Sequence, residues 1–283
     1  MKYISLYFLS IILFVSCGDD EVIPLIDSQV IIDQLNNDYE LMPERLISES
    51  SDSRVFAQYV NPTDKYTHGV IGDRIEAEGM VVAVDGVFYE LQLNEDQVFE
   101  DIRPRLYDVD GDGQLEFITI RTNVATGAGI AIYKIRNNQL EEYASVTEIG
   151  SFSRWLNIVA IDDLDDDGTV ELVWVQTPHI GGILKVAKIS PGVLQVLDEE
   201  IQYSNHGLGE RNLCMSVLTD QSGTKVFYVP TQSRDSIVGF SFENDNLILF
   251  EEIEFDVDFT ETLISQYSFT NPIVDEVNCI VGE

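Results

Sequence analysis

Asp108-Val109-Asp110-Gly111-Asp112-Gly113-Gln114-Leu115-Glu116 decides the fold, because it returns 55 positions later as Asp163-Leu164-Asp165-Asp166-Asp167-Gly168-Thr169-Val170-Glu171. A further 55 positions on, Leu218-Thr219-Asp220-Gln221-Ser222-Gly223-Thr224-Lys225-Val226 keeps the central Asp and the Gly and loses the rest. An apolar segment precedes each copy, at 102–107, 156–161 and 213–217, and three more strand-like segments follow it. Four strands in each repeat of this length is the arithmetic of a propeller blade.

The rest of the chain agrees with strands. Segments 80–84 and 87–93 flank Asp85-Gly86, a pair that favours the two-residue hairpin turn. Asn137-Asn138 turns the chain between 130–134 and 140–144, and alternating apolar runs recur at 170–175, 182–188, 193–197, 225–229, 236–242 and 247–250. No segment after residue 53 carries a helical period, and a weak one lies near 31–47. The expected fold is all-β, a small β-propeller of about four to five four-stranded blades. Three blades cover about 98–253, residues 54–97 supply most of another, and 254–283 are strand-like enough to close the ring with it.

The acidic loops carry chemistry. D-x-D-x-D-G-x-x-E places an oxygen at every second residue around a tight turn, and Ca²⁺ prefers six to eight hard oxygens. The ligands expected are Asp108, Asp110, Asp112, the Gln114 carbonyl and Glu116, then Asp163, Asp165, Asp167, the Thr169 carbonyl and Glu171. An EF-hand is excluded, because position 12 is Thr119 or Trp174 and both flanks are strands. The third loop has Leu218 and Val226 at ligand positions and should bind no ion. The alternative is a pair of solvated acidic turns without metal.

Two such loops between strands resemble FG-GAP/VCBS repeats, the calcium-loop blades also found in integrin-type propellers. Segments 98–106, 153–157, 177–182 and 204–211 extend the resemblance to short bacterial VCBS-repeat proteins across roughly 61–242. The resemblance implies a propeller with structural Ca²⁺ and no particular reaction. The degenerate third loop departs from it.

Charge narrows the partners. The 283 residues hold 16 Lys and Arg against 50 Asp and Glu, a net charge of −34. A surface of that sign repels nucleic acid and anionic lipid. The first 16 residues read as a lipoprotein signal peptide, with Lys2, an apolar core, and Phe14-Val15-Ser16 before Cys17. Cys17 is then the lipidated N-terminus, residues 17–53 an anchor, tether and N-terminal segment, and 54–283 the propeller, held at the bacterial outer membrane; the competing reading is a plain secretory signal with Cys17 incidental. Cys214 and Cys279 are left, and whether they pair is open.

The three histidines sit beside glycine-rich turns, and polar clusters precede the first strand of successive repeats. Equivalent offsets before the loops place the clusters with Glu100, with Arg154, Trp155 and Asn157, and with Arg211 on one face, and with His179 and His206 they make a possible ligand-binding mouth. The competing reading has Trp155 in the core and Arg154 and Arg211 paired with Glu100 and Glu210. No nucleophile elbow, zinc motif, phosphate loop or dinucleotide fingerprint occurs. The expectation is a non-catalytic interaction module for an unidentified protein or glycan. The alternative is a glycosidase- or lyase-like carbohydrate-active enzyme drawing on Glu100, Asp101, Glu210 and His206.

Overall fold

The computed structural model describes residues 27–213 and 215–254. The leader, Cys17, Cys214, Cys279 and the proposed closing segment from 255 onward lie outside the described residues. Among those described, no helix is long and apolar enough to cross a membrane.

Helix α1 (Ser28–Asp38) starts at Asp27, whose carboxylate accepts the Gln29 amide at 3.0 Å, a cap for an otherwise unpaired N–H. Its apolar side, Ile31 and Leu35, packs on Phe56, Val60 and Val81. The helix stops well short of residue 47. Tyr39 is extended, and Leu41 bridges to Val60, so sheet pairing takes over where the weak helical period continues.

Four four-stranded units follow. The first is β1 (Ile47–Glu49), β2 (Val55–Thr63), β3 (Glu76–Val84) and β4 (Val87–Gln92), followed by the short β5 (Gln97–Phe99). The second is β6 (Arg105–Tyr107), β7 (Glu116–Asn123), β8 (Gly127–Arg136) and β9 (Gln139–Ser145). The third is β10 (Leu156–Asp162), β11 (Glu171–Gln176), β12 (Ile183–Ser190) and β13 (Val193–Ile201). The fourth is β14 (Val217–Asp220), β15 (Lys225–Pro230), β16 (Ser236–Glu243) and β17 (Asn246–Glu254). Every pairing is antiparallel between sequence neighbours, except that β5 bridges β3 to β7 and joins the first two units into one nine-stranded sheet.

A two-residue turn joins the last two strands of each unit: Asp85-Gly86, Asn137-Asn138, Pro191-Gly192 and Asn244-Asp245. Three of the four turns have positive φ at both residues, which suits the strand twist. The first unit therefore repeats the others although it lacks an acidic loop.

Burial identifies blades. Residues 127–134 of β8 are buried without interruption, as expected for a strand covered on both faces, while β13 is mostly exposed. Successive side chains of β11 feed different cores. Leu172 and Trp174 join Ile118, Ile130 and Trp155 of the second and third units, while Val173 and Val175 join Phe227, Val229 and Phe240 of the fourth. A third core lies between the first two units, around Tyr59, Met80, Phe117 and Tyr133. Sheets stacked face to face in chain order make a small β-propeller. The connection between the third and fourth units reaches the β2–β3 connection of the first, where the Gly209 amide donates to the Val70 carbonyl at 2.9 Å and Arg211 meets Asp73 at 2.6 Å.

Candidate functional site

The two acidic loops fold alike. Gly113 donates to Asp108 and Gly168 to Asp163, each at 2.9 Å. The Val109 amide reaches Glu116 and the Leu164 amide reaches Glu171, each at 2.8 Å. Gly113 and Gly168 have φ of +84° and +87°, the left-handed bend that glycine adopts without strain. One carboxylate oxygen each from Asp108, Asp110 and Glu116, and from Asp163, Asp165 and Glu171, lie within 4.8 Å of one another. These two clusters could hold a metal ion. Asp112 and Asp167 stand outside the triads and accept the Gln114 and Thr169 amides.

The donors are all hard oxygen, which suits Ca²⁺. Glu171 is fully buried, and its Oε1 has no hydrogen-bond partner among the described residues, an orphaned acceptor inside the triad. Burial first of all pushes both Glu116 and Glu171 up to about 7.

The loops differ in their lysines, a feature the sequence reading missed. Lys134 of β8 lies 2.8 Å from Asp110, 2.8 Å from Asp112 and 2.7 Å from Glu116. Lys188 of β12 reaches Asp167 at 2.7 Å but stays 3.9 Å from Glu171. The first cluster is thus filled by an ammonium, the second only flanked by one. The third loop is a tight hairpin, with Leu218 opposite Phe227 and buried. Its leading strand starts at Val217, where the sequence pattern had it ending.

At the mouth all three histidines find partners from different units. The His68 Nδ1 lies 2.7 Å from the buried Glu100 carboxylate, whose other oxygen accepts the Thr122 hydroxyl at 2.7 Å. The Trp155 indole N–H donates to the Glu100 carbonyl at 2.9 Å. Because a carboxylate only accepts, Nδ1 carries the proton and the neutral ring keeps its lone pair on Nε2. Burial is the main influence on Glu100 and raises it, against the lowering effect of His68 and Thr122.

The second pair is also directional. His206 Nε2 lies 2.8 Å from the Glu210 carbonyl and must donate, so its Nδ1 accepts from His179 Nε2 at 2.9 Å. His179 is left with a lone pair on Nδ1. Burial lowers both rings to about 4, which keeps them neutral near pH 7. Trp155 lies parallel to His179 with ring centres 6.2 Å apart and edge-on to His206 at 4.8 Å. Trp155 links the two pairs, since its indole N–H meets the Glu100 carbonyl and its ring packs on both His179 and His206.

Of the expected mouth residues, Glu100, Trp155, His179 and His206 come together. Trp155 is buried, as the competing reading had it. Asn157 is also buried and holds the Asn205 carbonyl at 3.2 Å. Arg154 donates to the Ser153 carbonyl, and Arg211 pairs with Glu44 and Asp73. The suggested Arg154–Glu100 and Arg211–Glu210 pairs are therefore corrected: His68, not an arginine, takes Glu100. Asp101 is occupied by Arg105 at 2.5 Å, and the exposed Glu210 offers its carbonyl rather than its carboxylate. His68 was visible beside Gly69, but its fit with Glu100 depends on the β3–β5–β7 pairing, which no local pattern encodes.

The fold and site define an all-β propeller. No protein-family model matches the chain, and no curated protein matches it. Similar solved structures include a periplasmic gluconolactonase from Pseudomonas aeruginosa, with 15% identity, TM-score 0.41, and coverage of 74% of this chain and 53% of that one. A putative 6-phosphogluconolactonase from Bacteroides uniformis has 14% identity, TM-score 0.42, and coverage of 74% and 54%. A rhamnogalacturonan lyase from Bacillus licheniformis has 14% identity, TM-score 0.36, and coverage of 65% and 43%. The chain spans about half the length of the first two.

Two expectations change. FG-GAP/VCBS membership is not shown, and the propeller fold is what stands. The non-catalytic interaction module is corrected, since the similar structures are lactonases and a lyase. The mouth itself holds oriented imidazole–carboxylate and imidazole–imidazole pairs rather than a recognition ring of Arg, Trp and Asn.

Proposed function

We propose that the protein is a carbohydrate-active hydrolase whose mouth opens a neutral sugar ester or lactone, with His68 as general base. The observation that carries this reading is the His68–Glu100 contact at 2.7 Å. A buried carboxylate holds the imidazole in one tautomer and favours its protonated form once it has taken a proton. Water attacks the carbonyl and loses its proton to His68 Nε2. The tetrahedral intermediate then collapses, the ester C–O bond breaks, and the proton passes to the departing alkoxide. His179, fixed by His206, offers a second neutral imidazole beside it. A net charge of −34 argues against a polyanionic substrate and suits an uncharged, hydroxyl-rich one.

Calcium in this reading is structural. Asp163, Asp165 and Glu171 would hold it in the second loop, and Asp108, Asp110 and Glu116 in the first whenever Lys134 is displaced. The test is acid release from a panel of neutral sugar lactones, followed with a pH indicator. Turnover by the wild type and its loss of 10²-fold or more in His68→Asn is expected for a removed general base. No acid release above buffer, or equal rates in the variant, overturns the proposal.

A further inference from the structure

Glu76 is used by nothing described so far. It is fully buried, and neither of its carboxyl oxygens has a hydrogen-bond partner among the described residues. Its place follows from register. β3 and β5 pair antiparallel with Ala77 opposite Phe99, so Glu76 stands directly opposite Glu100, on the same side of the sheet. Facing Cβ atoms in such a pair are about 4.5–5.5 Å apart, within reach for two carboxyl groups. Glu100 is fully buried as well.

We infer that Glu76 and Glu100 form one carboxyl pair sharing a single proton, with Glu76 as the positioning residue that fixes the charge of the Glu100–His68 unit. The inference rests on the reading of that unit as the working site. Two carboxylates facing each other away from water repel too strongly for both to ionise, so one keeps a proton. The neighbours decide which. Glu100 has two donors, His68 and Thr122, each at 2.7 Å, and these favour its ionised form. Glu76 has none, so the proton rests on Glu76.

The other charged groups facing Glu76 reinforce this. Asp73 precedes β3, and Asp101 follows β5 with its charge answered by Arg105; both act on Glu76 as like charges. Tyr66 is the remaining titratable neighbour, a buried phenol that stays neutral. Burial, the largest influence, and then Glu100 push Glu76 well above the ordinary carboxyl range. Only Glu100 then presents charge to His68.

The test is carbon NMR of glutamate carboxyls in the full chain, titrated from acid to alkaline pH. At alkaline pH, where Glu116 and Glu171, each at about 7, have ionised, one glutamate should stay protonated, and its signal should be missing in Glu76→Gln. In Glu100→Gln it should persist but lose its proton at lower pH, since the facing charge is gone. A wild type in which every glutamate ionises by the pH at which Glu116 and Glu171 do overturns the pair. So does Glu76→Gln that keeps the protonated signal, or Glu100→Gln that leaves it unmoved. These readouts need no substrate, so the pair stands or falls separately from the hydrolase reading.

Discussion

Replacing Lys134 by Met keeps the length and apolar stem of the side chain and removes one charge. In the first loop that charge meets three carboxylates at 2.7–2.8 Å, one of them fully buried. Burial alone would lower Lys134, but its bonds to Asp110, Asp112 and Glu116 raise it well above the usual lysine range, so it is charged at any working pH. Removing one partner of a buried ion pair costs about 3–5 kcal/mol. For a unit of this size that is roughly 6–20 °C in melting temperature, at about 2–4 °C per kcal/mol. Lys188→Met is the control. Its ammonium contacts Asp167 and Asp245, both exposed, so the loss should be about 0–1 kcal/mol. Calcium at a hundredfold excess over Kd should return about 2.7 kcal/mol to Lys134→Met, because the ion takes the place of the ammonium. The assay is urea unfolding above pH 7, in EDTA and in calcium. Equal losses for the two variants in EDTA, or no recovery of Lys134→Met by calcium, would refute the view that a lysine serves as the first loop's cation.

Two further outcomes are expected. His179 and His206 are lowered to about 4 by burial, so the unfolded chain binds more protons between about 6.5 and 4, and stability should fall as pH drops through that window. His206→Gln should flatten part of that slope in urea midpoints, and an unchanged slope would show that the ring is not buried neutral. At the third unit, a Cβ on Gly182 would enter the Tyr203 carbonyl, whereas one on Gly207 meets only the exposed Glu210 side chain. Thermal melts should therefore show Gly182→Ala costing several kcal/mol and Gly207→Ala far less, and similar losses would count against the close approach.

The architecture was legible because its signals are local and repeated. Asp85-Gly86 and the acidic loops state turn geometry in a few residues, and their spacing states the repeat. The loop ligands were readable for the same reason: one short turn supplies them all. Lys134 was not, because it enters from β8, and nothing in an alternating strand says which polar residue will point at a loop 24 positions earlier. Glu76 was hidden differently. It meets Glu100 only because β5, three residues long, is inserted between β3 and β7 and fuses two units into one sheet. His68 depends on the same insertion. The site is assembled where the repeat is broken, and a reading built on periodicity looks elsewhere.

The division of β11 between two cores bears on how the molecule comes apart. Trp174 is held by the second unit and Val173 by the fourth, though the two residues are adjacent. A blade in the middle of the stack cannot melt without exposing apolar surface on both neighbours, so its loss carries two interface penalties, while an end blade carries one. Unfolding should then travel inward from an end like a zipper. Hydrogen exchange would show this as amides of β11 and β12 that open only with the whole protein, and amides of β16 and β17 that open before it.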